Sequence, residues 1–206
     1  MYSQAILFPA SSASPSLDLP IHRRISGLAY HASFITTNDA AELIKQIDQG
    51  NWLCDLKRRV QHFGYKYDYK ARKIDSTMNI GKLPDWLQSL AVSFFQKGFF
   101  KQVPDQVIVN EYEPGQGISP HIDCEPCFGE TLASLSLNST AIMEFSNGHE
   151  KVPVFLEPRS VVLLSGEARF DWTHCIPARK SDLFQGVRYP RKRRISLTFR
   201  KVILQS

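Results

Sequence analysis

Arg194-Ile195-Ser196-Leu197-Thr198-Phe199-Arg200 decides how the rest of the chain is read. Apolar Ile195, Leu197 and Phe199 alternate with Arg194, Ser196, Thr198 and Arg200. A period of two is the pattern of a strand with two unlike faces. The even separation of the arginines puts both guanidinium groups on one of them, beside two hydroxyls. Arginines there are either exposed to water or, if buried, in need of anionic partners. A small dicarboxylate would serve, because a guanidinium fork matches a carboxylate in bidentate fashion. The strand alone leaves both readings open.

Similar short segments run back to residue 105. Gln106-Val107-Ile108-Val109 leads into Asn110-Glu111-Tyr112 and a Pro114-Gly115 turn. Leu132, Ser134 and Ser136 alternate with Ala133, Leu135 and Leu137, and Ile142–Phe145, Ser160–Leu164 and Trp172–His174 follow. Short strands separated by Gly, Pro and Asn predict a β-sandwich or jelly roll. Ahead of them the period is helical. Thr37-Asn38-Asp39 precedes Ala41, Leu43, Ile44 and Ile47, with Gly50 behind, which predicts a capped amphipathic helix with a glycine stop. A second helix starts near Pro84-Asp85, carries Trp86, Leu87, Leu90, Ala91, Phe94 and Phe95, and stops at Gly98. The expected fold class is α+β, mainly β: a double-stranded β-helix (jelly roll) with two N-terminal helices buttressing one sheet.

A length of 206 residues favours one domain. Residues 1–20, rich in Ser, Ala and Pro, predict a poorly ordered tail, leaving 21–206 as the domain. Hydrophobic residues at 43% and charged residues at 22% are ordinary globular usage. No apolar run approaches the ~18 residues of a membrane span. The apolar stretch Ala5–Phe8 is short and has no basic residue before it, unlike a signal peptide. An intracellular monomer, in cytoplasm or nucleus, is expected. Four cysteines do not predict a disulfide framework. Cys124-x2-Cys127 leaves a structural zinc open, with Cys54 and Cys175 as the remaining thiols.

The net charge of +5 is unevenly spread. Residues 54–82 carry +5, residues 83–153 carry −6, and residues 188–206 hold seven basic side chains and no acid. Lys57-Arg58-Arg59, Tyr65-Lys66-Tyr67 and Tyr69-Lys70-Ala71-Arg72-Lys73 interleave rings with cations. That mixture suits a phosphate backbone with bases stacked on rings. It equally describes a solvated face with tyrosines packed beneath.

His121-Ile122-Asp123 places an imidazole and a carboxylate two residues apart, on one side of an extended segment. A distant third ligand such as His174 would complete a two-histidine, one-carboxylate face of the kind non-haem Fe(II) oxygenases use. His-x-Asp is a common tripeptide, and by itself it is also read as structure.

Together, Asn110-x-Tyr112, Ser119-Pro120-His121-Ile122-Asp123, Ser165-Gly166-Glu167-Ala168-Arg169, Trp172-Thr173-His174 and Arg194-x5-Arg200 resemble the AlkB-like Fe(II)- and 2-oxoglutarate-dependent dioxygenases. The resemblance runs from about Asn51 to Lys201. It implies that His121, Asp123 and His174 hold Fe(II), with 2-oxoglutarate and O2 as co-substrates. It implies that Arg194 and Tyr112 take the distal carboxylate, and that Asn110 and Arg200 fix the other end or its surroundings. Ser196 stands where family members often carry Asn. Residues 54–75 occupy the place of the family's substrate lid, with Arg58, Arg59, His62, Tyr65 and Tyr67 toward substrate. Glu125, two residues past the metal aspartate, would contact a base or the second arginine. The implied activity is oxidation of nucleobases in DNA or RNA, chiefly oxidative demethylation of N-alkylated bases as in alkylation repair. Arg58-Arg59-Val60-Gln61-His62-Phe63-Gly64-Tyr65 looks most like the branch containing the tRNA wobble-uridine hydroxylase domain. Hydroxylation of a modified wobble uridine, or of a protein side chain, are the alternatives.

Overall fold

The computed structural model describes residues 24–54, 57–68 and 71–204. The predicted tail at 1–20 and the Tyr69-Lys70 part of the basic cluster lie outside the described residues. The chain runs through β1 (Leu28–His31), α1 (Thr37–Asp48), β2 (Val60–Phe63), α2 (Asp85–Gln96) and β3 (Gln106–Tyr112). It continues with β4 (Ile118–His121), β5 (Phe128–Leu137), β6 (Ala141–Ser146), β7 (Lys151–Leu156) and β8 (Val161–Leu164). Then come α3 (Gly166–Phe170), β9 (Thr173–Ile176), β10 (Ser181–Phe184), β11 (Val187–Pro190) and β12 (Arg194–Val202). Among the described residues no helix is long and apolar enough to cross a membrane.

The strands form a six-stranded sheet in the order β1-β8-β5-β12-β3-β2, a four-stranded sheet β4-β9-β6-β7, and the hairpin β10-β11. All pairings are antiparallel. The fold is a mainly β jelly roll with helices packed on one sheet. β12 is central, between β5 and β3, so both of its faces are covered. On one face Ile195, Leu197 and Phe199, joined by Val107, Val109, Leu135 and Leu137, meet the helices. Leu43 and Ile47 of α1 and Leu87, Leu90 and Phe94 of α2 fill that interface, with Phe94 edge-on to Phe199 at 4.9 Å. Phe95 stands 43% exposed instead of joining the apolar face, because it lies about 100° round the helix from Phe94.

The other face of the six-stranded sheet looks at the four-stranded sheet. Leu132, Val162 and Leu164 pack there against Met143, Phe145, Val154 and Leu156. Elsewhere that inward face carries a buried polar group made of Asn110, Ser134, Ser136, Arg194, Ser196 and Arg200. A jelly roll lined this way is packed at one end and hollow at the other.

Local details follow from the sequence. Thr36, one residue before the predicted cap, accepts from the Asp39 N–H while the Asp39 carboxylate takes the Thr36 N–H at 3.0 Å, a complete capping box. Gly50 ends α1 by making room: a Cβ there would come within 2.8 Å of the Gln61 amide, which donates to the Ile47 carbonyl at 2.8 Å. That bond satisfies one of the carbonyls a helix end leaves open. Gly64 takes φ +78°, and a Cβ would strike the Asp105 carbonyl at 1.9 Å, so only glycine fits between β2 and β3. The sequence pattern missed β1, β2, β4, β7, β10 and β11. Most are four residues long, and β4 reads Ile-Ser-Pro-His, with no alternation to find.

Arg191 and Arg179 converge on Asp182, which is 0% exposed. Arg191 donates from Nε at 2.6 Å and Nη2 at 2.8 Å, and Arg179 from Nε at 2.6 Å. Asp182 also accepts from the Ile142 N–H at 3.3 Å, pinning the β10-β11 hairpin to β6. Burial alone would raise this carboxyl, but the two arginines outweigh it and hold it below the ordinary value. Asp182→Asn leaves a buried arginine unpaired, so urea unfolding at pH 7 should show a loss of about 3–5 kcal/mol. Because the folded-state value is depressed, the contribution is complete above the unfolded value of about 4 and fades as pH falls through the lower folded value. The wild type should therefore lose its advantage over the variant in acid.

Candidate active site

The register of β4 against β9 sets His121 directly opposite His174. Their rings lie 4.4 Å apart, centre to centre. Asp123 stands two residues past His121, and its Oδ2 is 3.7 Å from His174 Nε2. The ligand atoms of the three residues all fall within 4.8 Å of one another. His121 Nδ1 is 2.8 Å from the Ser119 carbonyl. A carbonyl accepts only from an N–H, which puts a proton on Nδ1 and leaves Nε2 as the nitrogen that faces the other two residues' ligand atoms. Burial, reinforced by His121, pushes His174 down to about 3 against the pull of Asp123, so this imidazole is neutral and able to ligate at pH 7.

Asp123 is buried, which by itself would raise its carboxyl. Arg200, then His174, His121 and Arg169, outweigh burial and hold it at about 2. Arg200 Nη2 sits 2.7 Å from Oδ1. One carboxylate oxygen is thus held by β12 while Oδ2 faces the histidines. Two imidazoles and one carboxylate sharing a face are the donor set of an octahedral Fe(II) with open positions.

Arg194 provides a second test of fit. It is 3% exposed, and burial lowers it to about 10. Its Nη2 donates to Ser136 Oγ at 2.8 Å, and it lies 5.4 Å from the centre of the Tyr112 ring. Among the described residues no carboxylate lies within ion-pair distance, and Nε has no partner. A buried guanidinium in this state has the donors that a carboxylate would satisfy. Water-exposed arginines, the other reading of the strand, are ruled out by this burial. Arg194, Ser196, Arg200, Asn110, Tyr112 and the three residues His121, Asp123 and His174 line one cavity of about 480 Å³. Gly117 also lines it, where a Cβ would come within 2.1 Å of the Ile176 carbonyl, so β4 approaches β9 only through glycine.

The residues assigned to substrate divide. Arg58 and Tyr67 line the cavity. Arg58 is buried, donates from Nε to Asn110 Oδ1 at 2.8 Å, and lies 5.8 Å from the Tyr112 ring. Arg59 does not reach it. Successive residues of an extended segment face opposite ways, so Arg59 turns outward to pair with Glu111 and cover Trp52 at 4.7 Å. His62 opposes Ile108 in the β2-β3 ladder and is absent from the lining. Tyr65 packs against the core between the sheets, and Glu125 is exposed on the turn after Asp123. The second arginine, which Glu125 was expected to contact, is engaged by Asp123 instead. Ser196, in place of the common Asn, exchanges a hydrogen bond with Ser134 Oγ at 2.9 Å.

Several residues of the site went unassigned in the sequence. Ser134 lines the cavity and Ser136 lies behind it, accepting from Arg194, and their only signal was a polar face on an otherwise apolar strand. Lys57 and Arg72 stand in the lining as members of the basic cluster. Cys124 and Cys127 are joined as a disulfide, contrary to the expectation of no bridge and to the zinc alternative. The turn in which the Cys127 and Phe128 N–H groups both reach the Cys124 carbonyl brings their Cα atoms to 5.3 Å, within bridging range. Cys54 is exposed and Cys175 buried, each with a free thiol.

Comparison with known proteins agrees with this geometry. A family profile described as the 2OG-Fe(II) oxygenase superfamily matches residues 43–200. The chain is 35% identical to the alkylated DNA repair protein ALKBH8 homolog of Arabidopsis thaliana, over 94% of this chain and 62% of that one. It is 39% identical to tRNA (carboxymethyluridine(34)-5-O)-methyltransferase ALKBH8 of Macaca fascicularis, over 71% of this chain but only 23% of that one. It is 36% identical to the mitochondrial alpha-ketoglutarate-dependent dioxygenase alkB homolog 7 of Mus musculus, covering 84% of this chain and 77% of that one. The solved structure of OsALKBH1 superposes with a TM-score of 0.67 at 18% identity, over 85% of this chain and 96% of that one, a likeness of fold.

Replacing Arg194 should weaken 2-oxoglutarate specifically. A hydrogen bond to a charged group contributes about 1.5–3 kcal/mol, or roughly 10- to 150-fold in affinity. Calorimetry with Mn(II) in place of Fe(II) should show that loss for Arg194→Met, with metal affinity within twofold of the wild type.

Proposed function

The chain belongs to the 2OG-Fe(II) oxygenase superfamily and to its AlkB-like members, and from that premise we propose that it oxidises nucleobases in DNA or RNA. The observation that carries the reading is a single cavity with a metal triad at its floor and Lys57, Arg58, Arg72 and the Tyr67 ring around it. Cations beside an aromatic ring suit a phosphate backbone and a stacked base. A duplex base must be flipped or already unpaired to enter such a pocket.

Fe(II) with 2-oxoglutarate and O2 supplies an oxidant that removes hydrogen from a C–H bond and returns hydroxyl, with succinate and CO2 released. The chain's residues do the rest. His121, Asp123 and His174 would hold the metal, with Asp123 ionised and His174 neutral. Arg194, with Ser136 behind it and Tyr112 beside it, would hold the distal carboxylate of 2-oxoglutarate. Arg200 keeps Asp123 ionised and aimed. Leu132, Met143, Leu164 and Ile176 line the remaining wall with apolar surface and keep water from the reacting carbon. Oxidation of an N-methyl group ends in loss of formaldehyde, and oxidation of an unactivated carbon leaves an alcohol.

A second reading, hydroxylation of a modified wobble uridine in tRNA, is favoured by the resemblance across Arg58–Tyr65 and by the tRNA-modifying name of the macaque relative. The chain spans about a quarter of that protein, so its activity enters here as a reading only. Either reaction would be carried out on nucleic acid inside the cell, and cytoplasm or nucleus is the compartment we propose.

Succinate release should be measured with methylated single-stranded DNA, methylated RNA and total tRNA, under Fe(II), 2-oxoglutarate and ascorbate. Formaldehyde with succinate identifies a demethylase of that pool. Succinate with tRNA and no formaldehyde identifies the hydroxylase. No stimulation by any nucleic acid overturns the proposal. Lys57→Ala with Arg72→Ala should weaken single-strand binding and flatten its salt dependence by about 0.7 in log–log slope per lost contact.

A further inference from the structure

Arg169 is 1% exposed, yet it has no carboxylate within ion-pair distance among the described residues. Its guanidinium donates from Nη1 to the Asp123 carbonyl at 2.9 Å and from Nη2 to the Cys124 carbonyl at 3.3 Å. The plane lies 4.9 Å from the centre of the Phe170 ring, and Nε has no partner. A cation is an expensive way to fill a core, and an apolar side chain of like volume usually does as well or better. What distinguishes this one is its aim. Both of its hydrogen bonds end on backbone carbonyls of the loop that carries Asp123.

Its place in the chain matters equally. Arg169 belongs to α3, which Ser26 anchors through its carbonyl to the Ala168 N–H at 2.9 Å. From α3 the chain passes through Trp172 straight into β9 and His174. Asp123 and His174 are far apart in sequence, and β4 meets β9 at only two paired positions with a register shift between them. Pairing of the strands therefore aligns His121 with His174 but leaves Asp123, beyond the end of β4, without a ladder to fix it. The Arg169 bridge ties the Asp123 peptide to the helix that delivers His174. Holding the Asp123 carbonyl fixes the direction in which its side chain leaves the backbone. The positive charge also favours the ionised carboxylate, beside the larger effect of Arg200.

We propose that Arg169 is a positioning residue for the metal centre, setting the Asp123 backbone relative to His174 by its two hydrogen bonds. The inference rests on reading His121, Asp123 and His174 as the metal ligands. Outer groups that orient ligands typically cost 10–100-fold in metal affinity when removed.

The test is Co(II) titration of the full chain, read by visible d–d absorption, alongside urea unfolding without metal. Wild type and His174→Ala bracket the scale. Arg169→Met keeps the volume and removes both donors. It should remain folded, bind Co(II) about 10–100-fold more weakly, and show altered band positions, which a loss of core packing alone would not produce. Arg169→Lys keeps the cation with shorter reach and should recover part of the affinity. It carries the test if the Met variant does not fold. Wild-type affinity and wild-type bands in a folded Arg169 variant overturn the inference. Failure of the wild type to bind Co(II), or binding that His174→Ala leaves intact, overturns the ligand assignment instead.

Discussion

The ion pair between Arg200 and Asp123, at 2.7 Å, is the interaction on which the site depends. It crosses the jelly roll. Arg200 belongs to the central strand of the larger sheet, and Asp123 to the loop leaving the smaller one. Burial would otherwise neutralise the carboxyl and so remove a metal ligand. The arginine keeps it charged and occupies one oxygen. The same strand presents Arg194 on the same face, so one β-strand holds the Asp123 loop and lines the cavity with a second guanidinium.

That economy constrains the rest of the fold. A strand that buries two guanidinium groups on one side must be stabilised on the other. Ile195, Leu197 and Phe199 meet this need by packing under α1 and α2. Neighbouring strands repeat the division, with Val107, Val109, Leu135 and Leu137 toward the helices and Asn110, Tyr112, Ser134 and Ser136 toward the cavity. The helices therefore do more than cover a sheet: they supply the apolar burial that lets its inner face remain polar. Arg191 and Arg193, which precede this strand, are neutralised elsewhere, by Asp182 and by Glu111 and Asp48. Of the run of four cations, Arg191 and Arg193 are paired structurally, Arg194 faces the cavity without a carboxylate partner, and Lys192 is left as a surface charge.

Outside the cavity, charge is sorted by the two faces of the segment entering β2. Arg58 turns inward to Asn110 and Arg59 outward to Glu111, from adjacent positions. Basic clusters look uniform in sequence. In the folded chain, Lys57 and Arg58 line the cavity while Arg59 pairs with Glu111.

The sequence by itself determined the alternation of β12, the apolar stripes of α1 and α2, and the resemblance that joined His121, Asp123, His174, Arg194 and Arg200. These are legible because they depend on periods of two and 3.6 and on residue types few other roles require. The tertiary structure alone decided burial and partner. It turned Arg59, His62, Tyr65 and Glu125 away from the cavity. It closed Cys124 onto Cys127, and it brought Ser134, Ser136 and Arg169 to the site. It also formed β4 from Ile-Ser-Pro-His, a segment with no strand pattern of its own. The physical reason is common to all of these. A periodicity states which residues share a face, but what that face meets is set by strand register and by contacts far apart in the chain.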